Sequence, residues 1–454
     1  MKRFAWMDAV LAIAVFCTAG VQAAAAEKTS DPNKAVIREA KEFTVRGGLP
    51  NFYKKLAEGK PVKVAYLGGS ITQQKGWRVQ SLDYFRKLYP NSKVDEIYAA
   101  IGGTGSTLGA FRLDYDVLRF KPDLLFIEFA VNDSWTSPLE IRRAMEGIIR
   151  HTWREFPETD ICIVYTITVT GIKDLLNGRL TRSASVMEDV ADYYQVPSVH
   201  FGLGVAQLLR ENKLVMKADS RGMTVVSGEA LNISSKVPMT AYGKMPFSKD
   251  GVHPYLDTGH VLYTNALKKA LPEIAKAGRP GSHLPLPPPA VKNNYEFTKV
   301  IPLDAPGVKL SGKVTKLSLA EYPSETAKTC MPGLWKLEPG ASLEFKFKGT
   351  KAMLYSIYGP GTGSAEITVD GNKPYTVNFF DPYCGYYRVV SPGIPYVNED
   401  KLHTVRITVL DRPFDKRAIL AKRKIERDFD KNPKKYAERN LYIGAILMFG
   451  EPVK

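Results

Sequence analysis

The sequence predicts two folded parts in tandem: a three-layer α/β/α part on a parallel sheet, then an antiparallel β-sandwich. Two textures predict this. From about residue 60 to 272, runs apolar along their whole length alternate with helical patterns, as in a parallel sheet covered on both faces. Later the runs shorten, alternate apolar with polar and are punctuated by turn residues, as in a sandwich. The Pro-rich stretch 278–289 divides the two.

Residues 1–26 read as a secretory signal peptide. Lys2 and Arg3 precede a short apolar run over 9–18, and small residues at 23–26 offer an A-x-A-like cleavage site. The apolar run falls short of the roughly 20 residues of a membrane span, and no later segment has 18 consecutive apolar residues. The expectation is a bacterial protein, secreted or periplasmic after cleavage, without stable membrane insertion.

The α/β part is expected over 27–282. Residues 62–67 (VKVAYL) form a strand, 77–88 a helix and 94–100 a strand. After the breaker Lys121-Pro122, 124–129 is a third strand. Residues 139–153 form a helix capped by Ser137, with Pro138 at its first position. The β-branched run 161–168 is a strand, and 256–271 closes the domain as a helix. Before that helix, 205–248 is a long connection, and its polar stretch 220–238 suits a mobile cover. A stiff linker follows over 283–292.

The sandwich, expected over 293–454, has strands at 342–348, 352–358, 365–369, 375–379 and 404–410. Asp370-Gly371 and Gly359-Pro360-Gly361 mark turns between them. The charged, helix-favouring stretch near 412–439 interrupts the last strands.

Composition narrows the class. The chain has 454 residues, 44% of them apolar, which excludes collagen-like and largely disordered chains. Its formal net charge is +16, and residues 411–440 contribute eleven basic against six acidic groups. No nucleic-acid motif accompanies that charge, so a nucleic-acid partner is not expected. The charged segment is either a solvated helical face or a contact for an acidic glycan. Only Cys162, Cys330 and Cys384 follow the signal; Cys162 reads as a buried small hydrophobe, while Cys330 and Cys384 are able to pair. No metal-ligand spacing and no G-K-[ST] phosphate loop occurs, so no cofactor and no metal are expected.

Four short blocks carry the chemistry. Gly68-Gly69-Ser70-Ile71-Thr72 follows the first strand, where a hydroxyl stands above the sheet edge. Residues 99–106 (AAIGGTGS) follow the second strand, and Ala130-Val131-Asn132-Asp133 follows LLFIEF. Asp250-Gly251-Val252-His253 precedes the closing helix. In this order the blocks resemble the SGNH (GDSL-like) hydrolase superfamily over roughly residues 60–272. The resemblance implies a flavodoxin-like α/β/α domain, here followed by a jelly-roll-like sandwich.

It further implies Ser70 as nucleophile, His253 as general base and Asp250 as its support. The Ser70 and Gly103 backbone N–H groups and the Asn132 amide would form the oxyanion hole. Gly102 and Gly105 are near alternatives to Gly103. The family's Asp before the nucleophile is Gly69 here, and the Asn that often opens block two is Tyr98. Of the six histidines, His253 stands in the block before the closing helix, His200 lacks a D-x-x-H context, and His260, two helical turns on, is expected to pack.

Gln73, Gln74, Trp77, Arg112 and Trp135 lie near these blocks and are candidates for substrate binding or for structural roles. An exported hydrolase with a β-rich appendage is similar to bacterial carbohydrate O-acetylesterases, which implies an acetylated poly- or oligosaccharide substrate. The competing readings are a lipid esterase, thioesterase or acyltransferase on the same residues, and a glycan-binding protein with an inactive hydrolase fold.

Overall fold

The computed structural model describes residues 31–219, 239–240 and 242–453. The expected signal peptide and the stretch 220–238 lie outside the described residues. No helix among the described residues is long and apolar enough to cross a membrane.

The first part is built on six strands: β1 (Phe43–Thr44), β2 (Val62–Gly68), β3 (Val94–Ala100), β4 (Leu124–Glu128), β5 (Asp160–Tyr165) and β6 (Ser198–His200). Their order is β1-β6-β5-β4-β2-β3. All pairings are parallel except that of the short edge strand β1, which the sequence pattern does not reveal. Every residue of β4 and β5 is buried, which is why those runs are apolar but for Glu128 and Asp160 at their ends.

The helices are α1 (Pro50–Ala57), α2 (Ser70–Gln73), α3 (Trp77–Leu88), α4 (Ser106–Phe111), α5 (Leu113–Asp116), α6 (Pro138–Glu155), α7 (Ile172–Leu176), α8 (Arg182–Tyr194), α9 (Leu203–Arg210) and α10 (Gly259–Ile274). Helix α3 packs with α10, and α6 packs with α4 and α8, giving two helical layers. Ser137 caps α6 by accepting from the Glu140 N–H, with Pro138 at the first position as expected. The closing helix begins at Gly259, three residues later than its pattern suggested. A two-stranded parallel ladder, β7 (Leu214–Lys217) and β8 (Met245–Ser248), carries the chain back to the D-x-x-H block.

Strand β2 lies between β3 and β4, so the connections leaving β2 and β3 diverge there. Such a reversal opens a crevice at the carboxyl ends of the strands, the usual ligand position in this architecture. Three of the four sequence blocks follow β2, β3 and β4.

The second part has ten strands, and all its pairings are antiparallel. The runs expected at 342–348 and 352–358 are one strand, Ser342–Tyr358, with a register shift between Gly349 and Lys351. Its first half pairs with Lys401–Leu410 and its second half with Leu441–Val453. Phe345, Phe347, Ile367, Val405, Ile407 and Ile446 form the sandwich core. Tyr295, Tyr322, Cys330, Tyr355 and Leu447 instead join the α/β core, so the two parts share a continuous apolar interface.

The Pro-rich stretch is fastened down rather than spanning a gap. His283 stacks on Trp153 at 4.4 Å, and Arg150 donates to the Pro287 carbonyl at 2.7 Å. The backbone N–H of Val291 donates to Glu146 at 2.9 Å. The three cysteines are free thiols, and Cys330 and Cys384 sit in separate cores, so the pairing open from sequence is not made. Helices α11 (Glu325–Cys330), α12 (Lys416–Ala421) and α13 (Glu426–Lys431) complete the chain; the last two lie in the charged insertion.

Candidate active site

Ser70 begins α2 directly after β2, so its hydroxyl stands at the strand end beside an open helix N-terminus. The D-x-x-H block reaches it from the far end of the domain. Ser248 Oγ accepts from the Gly251 N–H at 2.8 Å, and Gly251 adopts φ +87°, a left-handed conformation suited to glycine. That turn folds Asp250 back on His253. Asp250 Oδ1 accepts from the Val252 and His253 N–H groups, each at 2.8 Å.

Asp250 Oδ2 lies 2.7 Å from His253 Nδ1, and His253 Nε2 lies 2.8 Å from Ser70 Oγ. Burial raises the Asp250 pKa, but the bonds from the His253 ring and the two backbone groups outweigh it and hold the carboxyl below its ordinary value. An ionised Asp250 accepts from Nδ1–H, which leaves Nε2 to accept the Ser70 hydroxyl proton.

The other residues expected around Ser70 differ in how free they are to donate. The Gly102 N–H is engaged, donating to Gln73 Oε1 at 2.9 Å. Gly103 has φ +74° and open space where a Cβ would stand, and no backbone bond among the described residues takes its N–H. This favours Gly103 over Gly102 as a donor. Asn132 packs against Gly69 so closely that a Cβ on residue 69 would fall 2.0 Å from Asn132 Oδ1. The absence of a side chain at Gly69 therefore makes room for Asn132. Asp133, next along, accepts from the Ser106 N–H at 3.2 Å and so joins block three to block two. Its carboxyl is pushed up to about 6, chiefly by burial.

One group under the site went unnoticed in the sequence. Glu128, the last residue of β4, is buried and accepts from Thr72 Oγ1 at 2.8 Å and Thr166 Oγ1 at 2.7 Å. The Gly69 N–H donates to it as well. Burial raises its pKa, and these three donors oppose that. Glu128 thus anchors the turn carrying Ser70. An acid inside the otherwise apolar run LLFIEF was the available signal.

The five candidates for substrate contact separate. Gln73 stays in the site: its Nε2 donates to Thr326 Oγ1 on α11 at 3.3 Å, and its amide meets the half-exposed Tyr98 hydroxyl. Trp135 projects from the turn after Asn132 and is 95% exposed. Trp77 does not reach the surface; it is fully buried among Tyr66, Phe126 and Phe201, as its place on the inner face of α3 dictates. Arg112 is also fully buried, donating to the Ala99 carbonyl at 2.6 Å and pairing with Asp116 at 2.7 Å. It ties together the ends of β2 and β3, with Gly68 O 3.4 Å away, and does not face a substrate. Gln74 accepts from buried His260, which packs as expected. The contribution of Thr326 from the second part, 253 residues along the chain, had no local sequence signal.

Residues 66–222 match the model of the GDSL-like Lipase/Acylhydrolase family. The whole architecture is similar to a crystal structure of a two-domain esterase active on acetylated mannans, co-crystallised with mannopentaose: TM-score 0.66, 19% identity, covering 92% of this chain and 100% of that one. A second structure of such an esterase gives the same TM-score of 0.66 at 18% identity, with coverage of 92% and 100%. A comparison with curated proteins finds no match. Residues 66–222 thus carry a GDSL-like acylhydrolase domain, and the two-part fold is shared with those esterases.

Proposed function

We propose that the chain is a secreted serine esterase that removes O-acetyl groups from a carbohydrate. The relay Asp250–His253–Ser70, with successive separations of 2.7 and 2.8 Å, carries this reading. Ser70 Oγ attacks the ester carbonyl carbon while its proton passes to His253 Nε2. The carbonyl oxygen becomes an oxyanion facing the Ser70 and Gly103 N–H groups and the Asn132 amide. Collapse of this intermediate expels the sugar oxygen, which takes the proton from His253. A water, deprotonated by the same imidazole, then attacks the acyl-enzyme and releases acetate and Ser70. Asp250 holds the imidazole tautomer and balances its positive charge.

The sugar assignment draws support from the two-domain likeness to an enzyme active on acetylated mannans. It also draws on the second part meeting Gln73 beside the nucleophile through Thr326. Export rests on the signal-like residues 1–26.

The test is acetate release from 4-nitrophenyl acetate, acetylated mannan and acetylated xylan by wild type, Ser70→Ala and Trp135→Ala. The reading expects loss of all turnover in Ser70→Ala. In Trp135→Ala it expects a raised KM on polysaccharide alone. Equal turnover by wild type and Ser70→Ala rejects the serine mechanism. A preference for long-chain acyl esters over acetyl sugars rejects the substrate class.

A further inference from the structure

The charged insertion sorts its groups into two populations. Four of its six acids are used internally. Asp430 pairs with Arg417 at 2.7 Å, Asp428 with Lys435 at 2.8 Å and Asp411 with Arg439 at 2.5 Å. Asp415 caps α12 through the Ala418 N–H at 2.8 Å. Lys416 is buried and donates to the carbonyls of Pro360, Tyr436 and Glu438. Leu420 and Tyr436 are buried in the sandwich core, and Phe414, Ile419, Ile425 and Phe429 pack against it.

Four neighbouring exposed cations are left over. Lys422, Arg423, Lys424 and Arg427 are exposed, and among the described residues no carboxylate pairs with them. The Arg423 guanidinium lies 3.7 Å from the ring centroid of Tyr383, which is 48% exposed. Neighbouring Tyr386 is 60% exposed. Lys435 Nζ donates to the Gly385 carbonyl at 2.8 Å, and Ile425 packs at Gly385, so the tyrosine loop and the basic turn form one surface.

We infer that this surface binds a polysaccharide whose sugar rings carry carboxylates. Stacking on Tyr383 restrains the Arg423 fork, whose donors match a carboxylate two at a time. The exposed Tyr386 ring offers an amphipathic face to a sugar. The apolar side chains of the insertion face inward, so no wedge is left to enter a bilayer. The choice of a polysaccharide over another polyanion rests on the carbohydrate reading above.

The experiment measures binding of polygalacturonate, unsubstituted mannan, single-stranded DNA and phosphatidylserine vesicles to the full chain by calorimetry at ~0.15 M salt. Variants are Arg423→Gln, Tyr386→Ala and Lys422→Gln/Lys424→Gln, with melting temperature as the folding control. Wild type should bind polygalacturonate and not mannan, and Arg423→Gln should weaken binding roughly tenfold or more. Tyr386→Ala should weaken it too, while the Lys pair should chiefly reduce the salt dependence. Absence of binding, affinity unchanged in folded Arg423→Gln and Tyr386→Ala, or equal affinity for DNA or vesicles overturns the inference. Acetyl-sugar hydrolysis without polygalacturonate binding defeats this inference alone. Binding without hydrolysis defeats only the catalytic reading.

Discussion

Adding one methyl group at Gly69 tests the proposed oxyanion hole separately from the rest of the site. The backbone there, φ −93° and ψ −154°, is open to alanine, so Gly69→Ala introduces no conformational strain. The new Cβ would fall 2.0 Å from Asn132 Oδ1 and 2.9 Å from its Cγ. Such contacts do not persist below about 3 Å, so the amide must retreat by about 1 Å. A displacement of that size at a reacting centre costs about 100-fold, and loss of one oxyanion donor costs about 10²–10³ in kcat, or ~3–4 kcal/mol. Gly69→Ala should therefore lower kcat on 4-nitrophenyl acetate about 100-fold, with KM within about threefold. Asn132→Ala should match it, and the double variant should be no worse than Asn132→Ala, because both remove the same donor. A Gly69→Ala enzyme retaining kcat within about threefold of wild type refutes the reasoning, as do losses that multiply in the double variant.

Other expectations follow from burial. Arg112→Met leaves Asp116 buried without its cation and should cost about 3–5 kcal/mol in urea unfolding; Arg112→Met/Asp116→Leu should recover part of that. Acid should destabilise the fold through buried histidines, since burial holds His151 and His200 down to about 4 and His260 to about 3. The unfolded chain takes up these protons near pH 6.5, so each contribution is whole above that pH and is lost as pH falls towards the folded value, by up to ~1.4 kcal/mol per pH unit. Asp116 and Asp133, each raised to about 6 by burial, act in the opposite sense between about pH 6 and 4, as do the raised Glu128 and Asp189, but the histidines begin to lose stability from the higher pH of about 6.5. Calorimetry at pH 7 and pH 5 should show a lower Tm in acid, and His200→Asn should narrow the gap; an unchanged gap counts against a neutral buried His200.

The sequence by itself determined the elements and the core of the site. Predominantly apolar runs identified β2, β4 and β5 because a strand buried on both faces must be largely apolar. Four ordered blocks, read through their resemblance to a known hydrolase superfamily, marked Ser70, Asn132, Asp250 and His253 as candidates because those signals are local: each residue's place depends on the strand or turn it follows. Only the tertiary structure decided what faces what. Trp77 and Arg112 sit beside the motifs in sequence yet point into the core, since a helix or strand end near a site has an inner as well as an outer face. Glu128, which grips the Ser70 turn, and Thr326, which meets Gln73 from the second part, act across 56 and 253 residues of chain. So does the space at Gly69 that admits Asn132. Periodicity and spacing record which way a residue's own segment turns, whereas these contacts arise only when the sheet order sets β2 between β3 and β4 and packs the sandwich against them.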